Sequence, residues 1–179
     1  LSLSYDFDSA GLNYGDLESE VKGILIAQNV TYYTLEECRS KGCNLLITHH
    51  PSLFGEEIDA YGQSLIDVAK KYSINLYSCH TNLDCCDGGL NDYLANLLGM
   101  KDVRPVDGCA REGIIEPTEL ISLAKKVARI LDDPNVKYVG NADKKISKVI
   151  VCSGAGARDE ALIEYAKANS VDCVIGGES

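Results

Sequence analysis

A short pattern recurs three times along this chain and limits what it can fold into. A helix-period segment with Lys or Arg near its end passes through a polar turn into a short apolar strand. The copies occupy residues 39–48, 70–79 and 167–176. A parallel pair of strands needs a crossover long enough to carry a helix, so strands alternating with helices predict an α/β fold with a largely parallel sheet. With 179 residues the chain can build one full core or two small lobes.

Hydrophobic periodicity fills in the elements. Strands are expected at 21–27, 44–48, 74–79, 146–152 and 171–175. A capping box, Thr34-Leu35-Glu36-Glu37, is expected to open a helix that stops near Gly42. Further helices are expected over 63–72, after the Asp87-Gly88-Gly89 turn, from Pro117 to about residue 131, and over 158–169. Residues 101–116 read as an irregular connector.

In open α/β sheets ligands sit beyond the carboxyl ends of the strands. The residues just past the three recurrent strands are His49-His50, His80 and Glu178, and the chain's three histidines are thus all at strand ends. Imidazole is the commonest nitrogen ligand for Zn, Fe, Ni or Cu. Pro51 stops ladder pairing and keeps His50 extended, so both adjacent rings could turn toward one pocket. The alternative is a pair of surface histidines in a loop. Strand order favours the metal reading.

His80-Thr81-Asn82-Leu83-Asp84 adds a carboxylate to the third imidazole. A bridging Asp can hold two cations about 3.5–4 Å apart, as in many hydrolytic sites. Asp84 could instead brace the turn before Asp87. Ser153-Gly154-Ala155-Gly156 follows a strand and precedes a helix; a tight turn is preferred over a phosphate cradle, because Asp159 stands where a third glycine would.

A formal net charge of −10 argues against nucleic acid as a partner, since phosphate neutralisation needs clustered Lys and Arg. No apolar run reaches the length of a membrane span. The eight cysteines include no C-x-x-C pair, and Cys79, Cys152 and Cys173 fall in apolar strand-like runs. They are expected to be reduced thiols in a cytoplasmic protein. The only Met is Met100, and the chain opens on Leu1, so it is expected to be a fragment or processed product.

Thr48-His49-His50-Pro51 followed by Ser78-Cys79-His80-Thr81-Asn82-Leu83-Asp84 resembles the Nif-three-like family of dinuclear metal-centre proteins, whose members are also named GTP cyclohydrolase type 2 homologues. Asp8-Ser9-Ala10-Gly11-Leu12 is similar to the family's N-terminal Asp-Asn-x-Gly-Leu. Gly88-Gly89-Leu90-Asn91-Asp92, residues 151–156 and residues 172–178 match further segments.

The resemblance implies two pseudo-repeated α/β lobes with mixed, largely parallel sheets, here 1–104 and 105–179. It implies His49, His50 and Asp84 as metal ligands, with His80 lining the same cleft either as a support to those ligands or as a proton-transfer residue. It implies two divalent ions (Zn, Fe, Mn or Ni), hydrolase chemistry on a nucleotide or other phosphorylated small molecule, and a homohexamer built from dimers. The family completes its site with a C-terminal His-x-x-x-Glu. This sequence ends before that motif, so the C-terminal lobe is expected to be truncated and the site incomplete. The stretch 101–145 is too short for the extra domain that larger members carry between the halves. A metal-binding scaffold or interaction protein without turnover is the alternative reading.

Overall fold

A computed structural model of the chain describes residues 8–52 and 59–178. Among them eight strands and six α-helices form two four-stranded mixed sheets, in agreement with the expected α/β class. By compactness the chain divides into Leu1–Leu83 and Asp84–Ser179. The sequence reading divides it later, at residue 104.

The first unit has strands β1 (Gly11–Tyr14), β2 (Ile24–Ala27), β3 (Leu45–Thr48) and β4 (Asn75–Ser78) in the order β1-β4-β3-β2. β2, β3 and β4 run parallel; β1 is antiparallel to β4. Helices α1 (Tyr32–Ser40) and α2 (Ala60–Tyr72) supply the crossovers. Their Leu35, Cys38, Leu65 and Ala69 pack on Leu46, Ile74 and Leu76, because alternate strand residues face one side. α1 starts earlier than its expected cap. Thr31 is the N-cap: Thr34 N–H donates to Thr31 Oγ1 (3.1 Å) and Thr31 N–H to Thr34 Oγ1 (2.8 Å). A threonine hydroxyl thus takes the place usually filled by Glu or Gln.

The boundary between the units falls inside α3 (Thr81–Cys85). The second unit then has α4 (Leu90–Leu97), β5 (Lys101–Val106), β6 (Ala110–Glu119), α5 (Leu120–Ile130), β7 (Lys145–Cys152), α6 (Glu160–Ala168) and β8 (Cys173–Gly176), with strand order β5-β6-β7-β8. Only β7 and β8 are parallel here. Ala95 and Leu98 at the end of α4, together with Met100, pack with Val149 and Val151 of β7, which is why α4 belongs to this unit. Ile150 and Cys152 face the other way, onto Leu162 and Ala166 of α6. A strand buried on both faces reads as a continuous apolar run.

Three expectations are corrected here. Residues 101–116 are no irregular connector but belong to the β5–β6 hairpin. Asp107 and Gly108, at φ 51° and 73°, make its turn. Asp-Gly suits a turn with two positive φ values. Pro117 lies in β6 and does not open a helix; the ladder shifts register between Ile114 and Thr118, where a residue without N–H is tolerated. The cysteines are not all reduced: Cys85 and Cys109 form a disulfide, because the Asp-Gly turn returns Cys109 to the end of α3. Cys38, Cys43, Cys79, Cys86, Cys152 and Cys173 are thiols. Burial pushes the Cys38 thiol up to about 11 and raises Cys152 and Cys173 as well, as for small core hydrophobes.

The turn after β7 is a 3-10 segment, Gly154–Arg158. A Cβ on Gly156 would lie 2.0 Å from Cys152 Sγ, so this glycine serves close packing.

Candidate metal centre

β3 ends at Thr48, yet its ladder continues: His49 N–H donates to Ala27 O (3.3 Å) and His50 N–H to Gln28 O (3.0 Å). Thr48 Oγ1 donates to His50 O at 2.7 Å, folding the chain toward Pro51. Beyond Pro51, Ser52 N–H donates to Asn13 Oδ1 (3.0 Å), and Asn13 Nδ2 donates to Ser9 O (2.7 Å). The two histidines therefore sit on backbone fixed from both sides. On the neighbouring strand, Cys79 N–H donates to Thr48 O (2.8 Å), which sets His80 beside them.

The three rings converge. Their centroids are 4.9 Å apart for His49 and His50, 5.2 Å for His49 and His80, and 5.7 Å for His50 and His80. One nitrogen from each lies within 4.8 Å of the others, so the cluster could hold a metal ion.

Every Nδ1 has an oxygen partner. His49 Nδ1 is 2.9 Å from Cys79 O, His50 Nδ1 is 2.6 Å from Asn29 Oδ1, and His80 Nδ1 is 2.8 Å from Asp8 Oδ1. An imidazole that donates at Nδ1 keeps its lone pair on Nε2, and a metal-ligating histidine commonly gives its other N–H to a carbonyl or carboxylate. The donor set fits a divalent ion on this observation.

Asp8 is held from three directions. Its Oδ2 accepts from Thr81 N–H (3.1 Å) and from Thr81 Oγ1. Burial works against its charge, but the Thr81 hydroxyl, the His80 ring and the Thr81 N–H outweigh it and hold the carboxyl below the usual range.

Asp84 is buried on α3, at the first position of the second unit. Its carbonyl accepts from Asn91 Nδ2 at 3.1 Å. Asn91 also donates to Cys109 O (3.1 Å) and accepts from Ser153 N–H (2.7 Å), so it braces three segments of that unit.

The chain matches the family model Duf34/NIF3 (NGG1p interacting factor 3) over residues 1–179. It belongs to the NIF3 family. The NIF3 chain is 33% identical over 194 residues to the "GTP cyclohydrolase 1 type 2 homolog" of Clostridium acetobutylicum, covering 100% of this chain and 71% of that relative. The solved structure of a Bacillus cereus protein related to NIF3 shares its fold, with TM-score 0.88, 22% identity, and coverage of 99% of this chain and 78% of that one. Reduced HcgD from Methanocaldococcus jannaschii is 28% identical with TM-score 0.79, covering 99% and 73%. No helix among the described residues is long and apolar enough to cross a membrane.

Sequence reasoning named His49, His50 and His80, which the NIF3 fold brings together. It gave no role to the groups that orient them. Asp8 had one signal, its place in the N-terminal match. Asn29 and the Cys79 carbonyl had none, since a backbone acceptor leaves no trace in residue identity.

Proposed function

We propose that His49, His50 and Asp84 are ligands for two divalent ions and that His80 is the proton-transfer residue beside them. The intact protein would be a metal-dependent hydrolase acting on a nucleotide or other phosphorylated small molecule, in keeping with the name its clostridial relative carries. The observation that carries this reading is the meeting of three imidazoles, each held at Nδ1 by an oxygen. Bound divalent ions lower the pKa of coordinated water and polarise a substrate bond. His49 and His50 contribute neutral nitrogen ligands and Asp84 an anionic oxygen. His80 accepts a proton at Nε2 and returns it to the leaving group. Zn, Fe, Mn and Ni all suit such a donor set.

A homo-oligomer, a hexamer built from dimers, is part of the same proposal. Ile24 and Ile26 support it, being 51% and 78% exposed on the edge strand β2, where a second copy would cover them.

Elemental analysis of the purified protein tests the metal assignment. His49→Ala and Asp84→Ala are each expected to lose most of the bound metal, and unchanged content in both removes the proposal. A nucleotide panel assayed with and without chelator tests turnover. The family description, NGG1p interacting factor 3, favours a second reading as a metal-binding interaction protein without turnover. Partner binding retained by Asp84→Ala, with no chelator-sensitive turnover in the wild type, would select it.

A further inference from the structure

The three imidazoles differ in what their Nδ1 atoms meet. For His49 it is a peptide carbonyl and for His50 a carboxamide oxygen, both neutral; for His80 it is the carboxylate of Asp8. A neutral acceptor fixes a ring's orientation. A carboxylate does that and also stabilises the positive charge that appears when the ring takes a proton, as in a Ser-His-Asp triad.

We propose that Asp8 is a positioning residue that holds His80 with its hydrogen on Nδ1 and its lone pair on Nε2. The inference rests on the proton-transfer role given above to His80. It adds the residue whose carboxylate faces the Nδ1 of this imidazole.

The geometry around Asp8 is built for the purpose. Its side chain is 1% exposed, and a carboxylate so enclosed must be compensated by donors. One oxygen is given to His80; the other is taken by the Thr81 N–H and hydroxyl. Thr81 follows His80 directly, so the residue that locks the carboxylate is fixed to the ring it orients. With both oxygens engaged, the carboxylate cannot swing away without losing all three bonds. Asp8 lies just ahead of β1, and β1 pairs with β4, the strand leading into His80. A bond between residues 72 apart in sequence is thereby made local by the sheet.

A brace for the start of α3 would use the same Thr81 contacts but would be indifferent to which His80 nitrogen carries the proton. The experiment therefore reads the tautomer. Ring nitrogens of histidine-labelled, metal-free protein are assigned by long-range proton–nitrogen correlation NMR. In the wild type the Nδ1–H form of His80 is expected to exceed the Nε2–H form about tenfold or more, the bias of a hydrogen bond to a charged acceptor. Asp8→Asn can offer an amide N–H to Nδ1, and is expected to reverse the ratio while His49 and His50 keep theirs. Asp8→Glu is expected to restore it in part.

Metal content is measured in parallel and is expected to stay within about twofold in Asp8→Asn, since His80 is not assigned as a ligand. Metal-free wild type would overturn the function proposed above without touching the tautomer result. A wild-type His80 with its hydrogen on Nε2 overturns the present inference whether or not the variants fold. An unchanged ratio in folded Asp8→Asn does the same.

Discussion

Replacing Asp92 by alanine should expose how much one enclosed charge depends on its partner. The Arg111 guanidinium is 2% exposed, within the second unit. It donates to Asp92 Oδ1 at 2.6 Å and Oδ2 at 3.3 Å, to Cys109 O at 2.8 Å, and to Cys85 O and Cys86 O at 3.1 Å each. Removing one partner of a buried pair costs about 3–5 kcal/mol, against about 0–1 kcal/mol for an exposed pair. Asp92 is 28% exposed and the carbonyls remain in Asp92→Ala, so the loss should fall to about 2–3 kcal/mol. Urea unfolding followed by circular dichroism reads this as a drop of about 1 M in midpoint at constant slope.

Acid supplies an internal control. The Arg111 hydrogen bond, foremost, holds the Asp92 carboxyl below its ordinary range. The unfolded chain therefore binds that proton more readily than the folded one. The stability Asp92 contributes is present above about pH 4 and is lost as pH falls through the depressed native value. The gap between wild type and Asp92→Ala should thus be full at pH 7 and shrink below pH 4. A loss under about 1 kcal/mol at neutral pH, or a gap that ignores acid, would refute the reasoning.

Gly156→Ala should destabilise the second unit by about 1–3 kcal/mol, because the added methyl meets Cys152 Sγ at 2.0 Å; a thermal melt reads it, and Cys152→Ala in the same chain should recover part of the loss. Thiol titration of the denatured, unreduced protein should count six thiols, rising to eight after reduction. Reduction should cost about 3 kcal/mol, as expected for a loop closed across 24 positions, and a count of eight before reduction would remove the bridge.

The first unit was legible at β3 and β4, which end in a signal, but not at β1 (Gly11–Tyr14), which is too short and too mixed to show a period. Apolar runs gave β3 and β4, and the histidines after them marked the strand ends where ligands gather. The second unit was harder. Its hairpin strand β5 carries Lys101, Asp102 and Arg104, all exposed, so no apolar period announced it, and the Asp107-Gly108 turn was the one available sign. Pro117 favoured a helix start locally, but pairing of Thr118 with Ile146 overrode it. The Cys85–Cys109 pair was hidden for the same reason as the hairpin, since it exists only once that turn is made. At the site, imidazoles advertise themselves by type, whereas Asp8 and Asn29 become meaningful only when the sheet sets them against a ring.

The amides of His49 and His50 hang on carbonyls at and just past the end of β2, and β2 is the border of its sheet. Fraying of that border strand releases both amides in a single opening. Whatever cinches or loosens it is therefore felt at the two imidazoles without touching them, and amide exchange at these positions would track their readiness to bind.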